Sequence, residues 1–94
     1  MTSLTMFYGR ECPHCHVMLP LADKLSKEEK IKVEKVEVWH DQKNADRMRA
    51  LRNVIEPACG GSLGVPVFVD EKNKRAFCGE QPYTELKKWA KLKS

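Results

Sequence analysis

Cys12-Pro13-His14-Cys15 places two thiols three residues apart, so that one helical turn brings both sulfurs within reach of a small disulfide. Leu4 to Tyr8 reads as a strand, and Gly9-Arg10-Glu11 as the loop leaving it. Pro13 suits the first helical position, where the N–H it lacks would have no partner. Cys12 then falls at the N-cap of that helix, on its exposed tip, where the free N–H groups of His14 and Cys15 favour an anion. A thiol reacts as its thiolate, which makes Cys12 the candidate nucleophile and Cys15 the resolving thiol. His14 shares the turn, and its N–H would steady the thiolate and make the couple more oxidising. His16 points away from the core and reads as a surface histidine. This is redox spacing.

The elements that must carry the dithiol follow from apolar periodicity. The 94 residues, 41% of them apolar, read as one domain spanning residues 1–94 with a single core. Met18, Leu21, Ala22 and Leu25 recur on the stripe that holds Cys15, predicting a helix from Pro13 to Ser26 or Lys27 with a kink at Pro20. Val33 to Trp39 reads as a second strand, with Ile31 and Val33 assigned to its approach or to a bulge because the apolar phase breaks before Val36. One further helix is expected from Asp41 or Asn44 through Ala45, Met48, Leu51 and Ile55, ended by Pro57 and Gly60-Gly61. Val65 to Val69 reads as a strand buried on both faces, Arg75 to Cys78 as a short fourth strand after a charged turn. Gly79-Glu80-Gln81-Pro82 opens the last helix, with Leu86, Trp89 and Ala90 inward. The fold class is α/β in the order β-α-β-α-β-β-α, a four-stranded mixed sheet flanked by three helices.

Charge and hydropathy narrow the partners. Lys+Arg 17 against Asp+Glu 13 gives +4, concentrated at Lys87, Lys88, Lys91 and Lys93. That pattern reads as a solvated helix face suited to acidic partner proteins, so no nucleic acid is expected. No apolar run approaches the roughly 20 residues of a membrane span. Met1 to Met6 lacks a basic, then apolar, leader, which points to a cytoplasmic protein with no membrane partner, expected as a monomer.

With these residues placed, the chain resembles the thioredoxin-fold superfamily, nearest to the small glutaredoxin-like proteins. The likeness covers nearly the whole chain and rests on Cys12-Pro13-His14-Cys15 after the first strand, Val65-Pro66 at the third, and Pro20 five residues beyond Cys15. It implies a cis Val65–Pro66 bond lying against the dithiol and forming a backbone wall for an extended substrate. Arg10 would replace the basic residue that glutaredoxins place before their dithiol. Gly79 lies in the stretch matching their glutathione-binding Gly-Gly and acidic pair, but Cys78, Gln81 and Pro82 depart from that pattern. Glutathione is thus at most an electron donor, with no cofactor bound. Met6 stands where thioredoxins bury an aspartate. The implied function is a dithiol–disulfide oxidoreductase working on protein disulfides or dithiols, served by a reductase or by glutathione.

Tyr8 and Trp39 end the first two strands, at the edge where an open α/β sheet carries its site. Either suits a substrate groove, and core packing is the expected role of each. Cys59, before Val65-Pro66, and Cys78, at the end of the antiparallel fourth strand, return to the same end of the sheet. Three readings are open for them: idle thiols, a second disulfide or relay pair, and a metal or iron–sulfur binding module formed with Cys12 and Cys15. A redox-silent adaptor is a further rival to the enzyme.

Overall fold

The computed structural model describes residues 3–91, so Met1, Thr2 and Lys93 lie outside it. The elements are β1 (Ser3–Tyr8), α1 (Pro13–Glu29), β2 (Lys32–Glu37), α2 (Gln42–Ala50), α3 (Arg52–Ala58), β3 (Val67–Asp70), β4 (Arg75–Cys78) and α4 (Tyr83–Lys91). The sheet runs β2-β1-β3-β4, with β1 and β2 parallel and the remaining pairs antiparallel.

Alternation along each strand divides the core between the two faces of the sheet. Leu4 and Met6 of β1, Phe68 of β3 and Phe77 of β4 pack on one face against Met18, Ala22 and Leu25 of α1 and Leu86 and Ala90 of α4. Phe7, Val67, Val69 and Ala76 pack on the other against Met48 of α2 and Ile55 of α3. The break of phase in β2 has the same origin. Val33 joins the first cluster and Val36 the second, while the register from Ser3↔Lys32 to Tyr8↔Glu37 runs without a bulge.

Among the described residues four helices, not three, flank the sheet. The expected single helix divides at Leu51, whose N–H bonds back to Met48 O (3.0 Å) and whose carbonyl accepts from Val54 N and Ile55 N. Leu51 is neither glycine nor proline, and Met48 and Ile55 on either side of it pack into one cluster. α3 runs through Pro57 to Ala58. It closes by a bond from Gly61 N–H to Glu56 O (2.7 Å), with Gly60 and Gly61 at φ +75° and +99°.

Other boundaries shift for local reasons. α1 continues past Lys27 and stops where Lys30 turns left-handed at φ 55°. β2 ends at Glu37, two residues before Trp39, because the Glu37 carboxylate draws the Trp39 and His40 N–H groups into a turn (3.1 and 2.7 Å). β3 begins at Val67, after a cis Val65–Pro66 bond. Trp89 faces inward as expected but only half-buried, packed on the first cluster 5.4 Å from the Phe77 ring and beneath the Arg75 guanidinium.

Candidate functional site

The site is assembled where α1 begins. Cys12 has the extended backbone of an N-cap, and the Cys15 N–H donates to its Sγ at 3.2 Å. Cys12 is only 4% exposed, which corrects the expectation of an open tip: the thiol is sheltered at the helix end. Cys15 is fully buried, and the Gly9 N–H approaches its Sγ at 3.5 Å. Burial first, and the contact with Cys12 second, push the Cys15 thiol up to about 12 from 9.0. Both thiols are free. Pro13 occupies N1 and is exposed.

The loop from Gly9 to Cys12 is held from several sides. Glu37 Oε2 accepts from the Arg10 N–H (2.9 Å) as well as from Trp39. Burial opposes its charge, yet the bonds from the His40, Arg10 and Trp39 N–H groups prevail and its carboxyl is lowered. His16 Nε2–H donates to Arg10 O (2.5 Å), and His40 Nε2–H to Glu11 Oε1 (2.6 Å). That bond is the main reason the Glu11 carboxyl also lies low. Trp39 does not enter the core. It is 52% exposed and lies flat on Gly9, where a Cβ would overlap its ring. Tyr8 is half-buried at the edge of the first cluster. The Arg10 side chain is exposed.

Opposite the dithiol turn, His14, Val65, Pro66, Gly79 and Glu80 line an open groove. Pro66 is buried and Val65 packs on the second cluster. Gly79, at φ +92°, donates its N–H to Pro66 O (2.8 Å), extending the β3–β4 ladder beyond its last paired residues. His14 is turned across this groove, its Nδ1–H donating to Glu80 Oε1 at 2.7 Å. Glu80 and Glu37 were missed as site residues. Each acts through a contact 27 or 66 residues distant in the chain, and no local pattern marks them.

Cys59 and Cys78 are joined to each other, their Cα atoms 5.4 Å apart. The pairing sets aside both the idle-thiol and the four-cysteine metal readings, since two of the proposed ligands are spent on one another. Among the described residues no group of three or more His, Cys, Asp or Glu is placed to hold a metal.

A parallel β-α-β unit joined to an antiparallel pair, with a C-x-x-C turn at the first helix and a cis proline before the third strand, decides the architecture. The fold is that of thioredoxin. A mutant thioredoxin from Halobacterium salinarum NRC-1 superposes with a TM-score of 0.63 at 23% identity, over 99% of this chain and 78% of that one. Thioredoxin O2 from Arabidopsis thaliana, in its oxidized state, gives 0.61 at 18%, over 95% and 71%. No protein-family model and no curated protein matches the chain. At such identities the thioredoxin likeness is one of fold. Among the described residues no helix is long and apolar enough to cross a membrane.

Proposed function

We propose that this chain is a cytoplasmic dithiol–disulfide oxidoreductase that exchanges electrons with protein disulfides or dithiols through Cys12 and Cys15. The observation that carries the reading is the asymmetry of the pair. Both are buried, but one sulfur sits at a helix N-cap and accepts an N–H, while the other is fully enclosed and held as a thiol. In the reducing direction the Cys12 thiolate attacks a substrate sulfur and the substrate disulfide breaks, giving a mixed disulfide. Cys15 then attacks Cys12 Sγ, its proton passing to the departing sulfur, so that the substrate leaves as a dithiol and Cys12–Cys15 as a disulfide. The Gly9 N–H beside Cys15 Sγ steadies the charge that develops there.

The wall at Val65-Pro66 and the groove rim at Gly79 suit an extended peptide. Cys78, which stands at the first position of the glycine pair of glutaredoxins, is tied into a disulfide. A protein reductant is therefore favoured over glutathione as electron donor.

Insulin reduction with dithiothreitol as donor tests the proposal. Wild type is expected to accelerate it, Cys12→Ser to abolish the acceleration, and Cys15→Ser to accumulate a mixed disulfide visible by mass. Turnover that survives Cys12→Ser would refute the assignment.

A further inference from the structure

We propose that Cys59–Cys78 is a second redox site, opened and closed by a dithiol while the protein stays folded, and that its state is transmitted to the Cys12 turn through Gly79, Glu80 and His14. Access comes first. Cys59 and Cys78 are half-buried, more open than either Cys12 or Cys15. An attacking thiolate must reach a disulfide sulfur, so this pair meets a reductant from solvent more readily than the buried Cys15 does.

Freedom to move comes second. Cys59 is followed by Gly60 and Gly61, around each of which a Cβ would meet nothing within 4 Å. The two glycines leave the Cys59 loop free of side-chain neighbours on its outer side.

Transmission comes third. Cys78 ends β4, and the three residues after it each reach a different part of the site. Gly79 donates to Pro66 O at 2.8 Å, Glu80 holds His14 at 2.7 Å, and the Gln81 N–H approaches Met18 Sδ of α1 at 3.5 Å. The disulfide stands at the root of this strap. Cys59 anchors the strap to α3, while its other contacts end on the groove wall and on the helix that carries the dithiol.

The chemistry balances with a dithiol as co-reactant. One reductant thiolate attacks a sulfur of the pair, the Cys59–Cys78 bond breaks, and the released sulfur takes a proton. The second reductant thiol then displaces the remaining sulfur. Cys59 and Cys78 end as thiols and the reductant as its disulfide, with two electrons and two protons transferred. If the open pair alters the Cys12–Cys15 equilibrium, the state of Cys12–Cys15 alters the second pair by the same factor. This transmission rests on Cys12–Cys15 being the working couple; the opening of the second disulfide does not.

The whole protein, equilibrated in dithiothreitol buffers of graded potential, acid-quenched and maleimide-trapped, reads both claims. Peptide mass is expected to locate two separate two-electron transitions, one at each pair, with far-ultraviolet circular dichroism unchanged through both. Opening of Cys59–Cys78 only together with loss of that signal would overturn the second site. For transmission, Cys59→Ser/Cys78→Ser and Glu80→Gln are each expected to change the Cys12–Cys15 exchange constant with glutathione by about threefold or more, ~14 mV for a two-electron couple. Adding Glu80→Gln to the double variant is expected to change nothing further. An unchanged constant, or shifts that add in full, would overturn the route. Should the double variant fail to fold, the same constant is read in wild type with the second pair open and closed. Loss of insulin turnover in wild type would sink the proposed function and leave the trapping result standing, so the two failures are distinguishable.

Discussion

Cys12 and Cys15 are the same side chain in two environments, and the difference organises the site. Cys15 has lost its water, which penalises its thiolate, whereas Cys12 receives the Cys15 N–H at a helix start. Iodoacetamide at pH 8 is therefore expected to modify Cys12 and spare Cys15, as peptide mapping would show; equal labelling would contradict the asymmetry. The same burial has a stability consequence whose sign is fixed. The folded state holds the Cys15 proton up to about 12, whereas an unfolded chain releases it near the ordinary 9.0. Between those values the unfolded state binds fewer protons, so stability is intact below about pH 9 and falls as pH rises toward about 12. Urea midpoints of the reduced protein should drop between pH 8 and pH 10, and the drop should be smaller in Cys15→Ala. A midpoint slope that Cys15→Ala leaves unaltered would locate the titration elsewhere.

The loop between β1 and α1 is a short element whose shape depends on residues that no local pattern ties to it. Glu37 gathers the Arg10, Trp39 and His40 N–H groups, and Trp39 roofs Gly9. A methyl group at Gly9 has no room beneath that ring. Gly9→Ala should lift Trp39 into solvent, shifting its emission to the red, with Trp39→Phe isolating the signal of the half-buried Trp89. An emission spectrum identical to wild type would show that the stacking is absent. Strands and helices were legible in the sequence because periodicity records which face is buried: Met18, Ala22 and Leu25 announced α1, and the apolar run at Val67 to Val69 announced a two-sided strand. The dithiol was legible for the same local reason, a proline and an N-cap cysteine at helix-start spacing. The break at Leu51 was not, because no glycine or proline marks it and the apolar stripe from Met48 to Ile55 runs straight across it. Nor was Asp70, read as part of a charged turn yet only 2% exposed, held there by Asn73 and Arg75. The His14–Glu80 contact spans 66 residues and exists only once β4 lies beside β3.

Across the whole molecule, two covalent closures of different reach act on one sheet. Cys12 and Cys15 lie three positions apart inside one turn, whereas Cys59 and Cys78 lie 19 positions apart, with β3 and most of β4 between them. Loop-closure entropy makes the longer closure worth ~3 kcal/mol and the shorter about half of that. The longer one also joins α3, on the second face of the sheet, to the strand at its edge, so it restrains two layers at once. For a domain of this size ~3 kcal/mol corresponds to roughly 12–24 °C in Tm. Calorimetry should thus find Cys59→Ser/Cys78→Ser melting well below oxidised wild type, while Cys12→Ser/Cys15→Ser melts less far below it. A domain with ordinary stability of about 5–15 kcal/mol survives that loss as a folded protein, which is what a disulfide that opens and closes in place requires. Equal melting temperatures for the Cys59→Ser/Cys78→Ser variant and wild type would mean that the second closure restrains nothing, and the strap from Cys78 to Glu80 would then hold its shape without it.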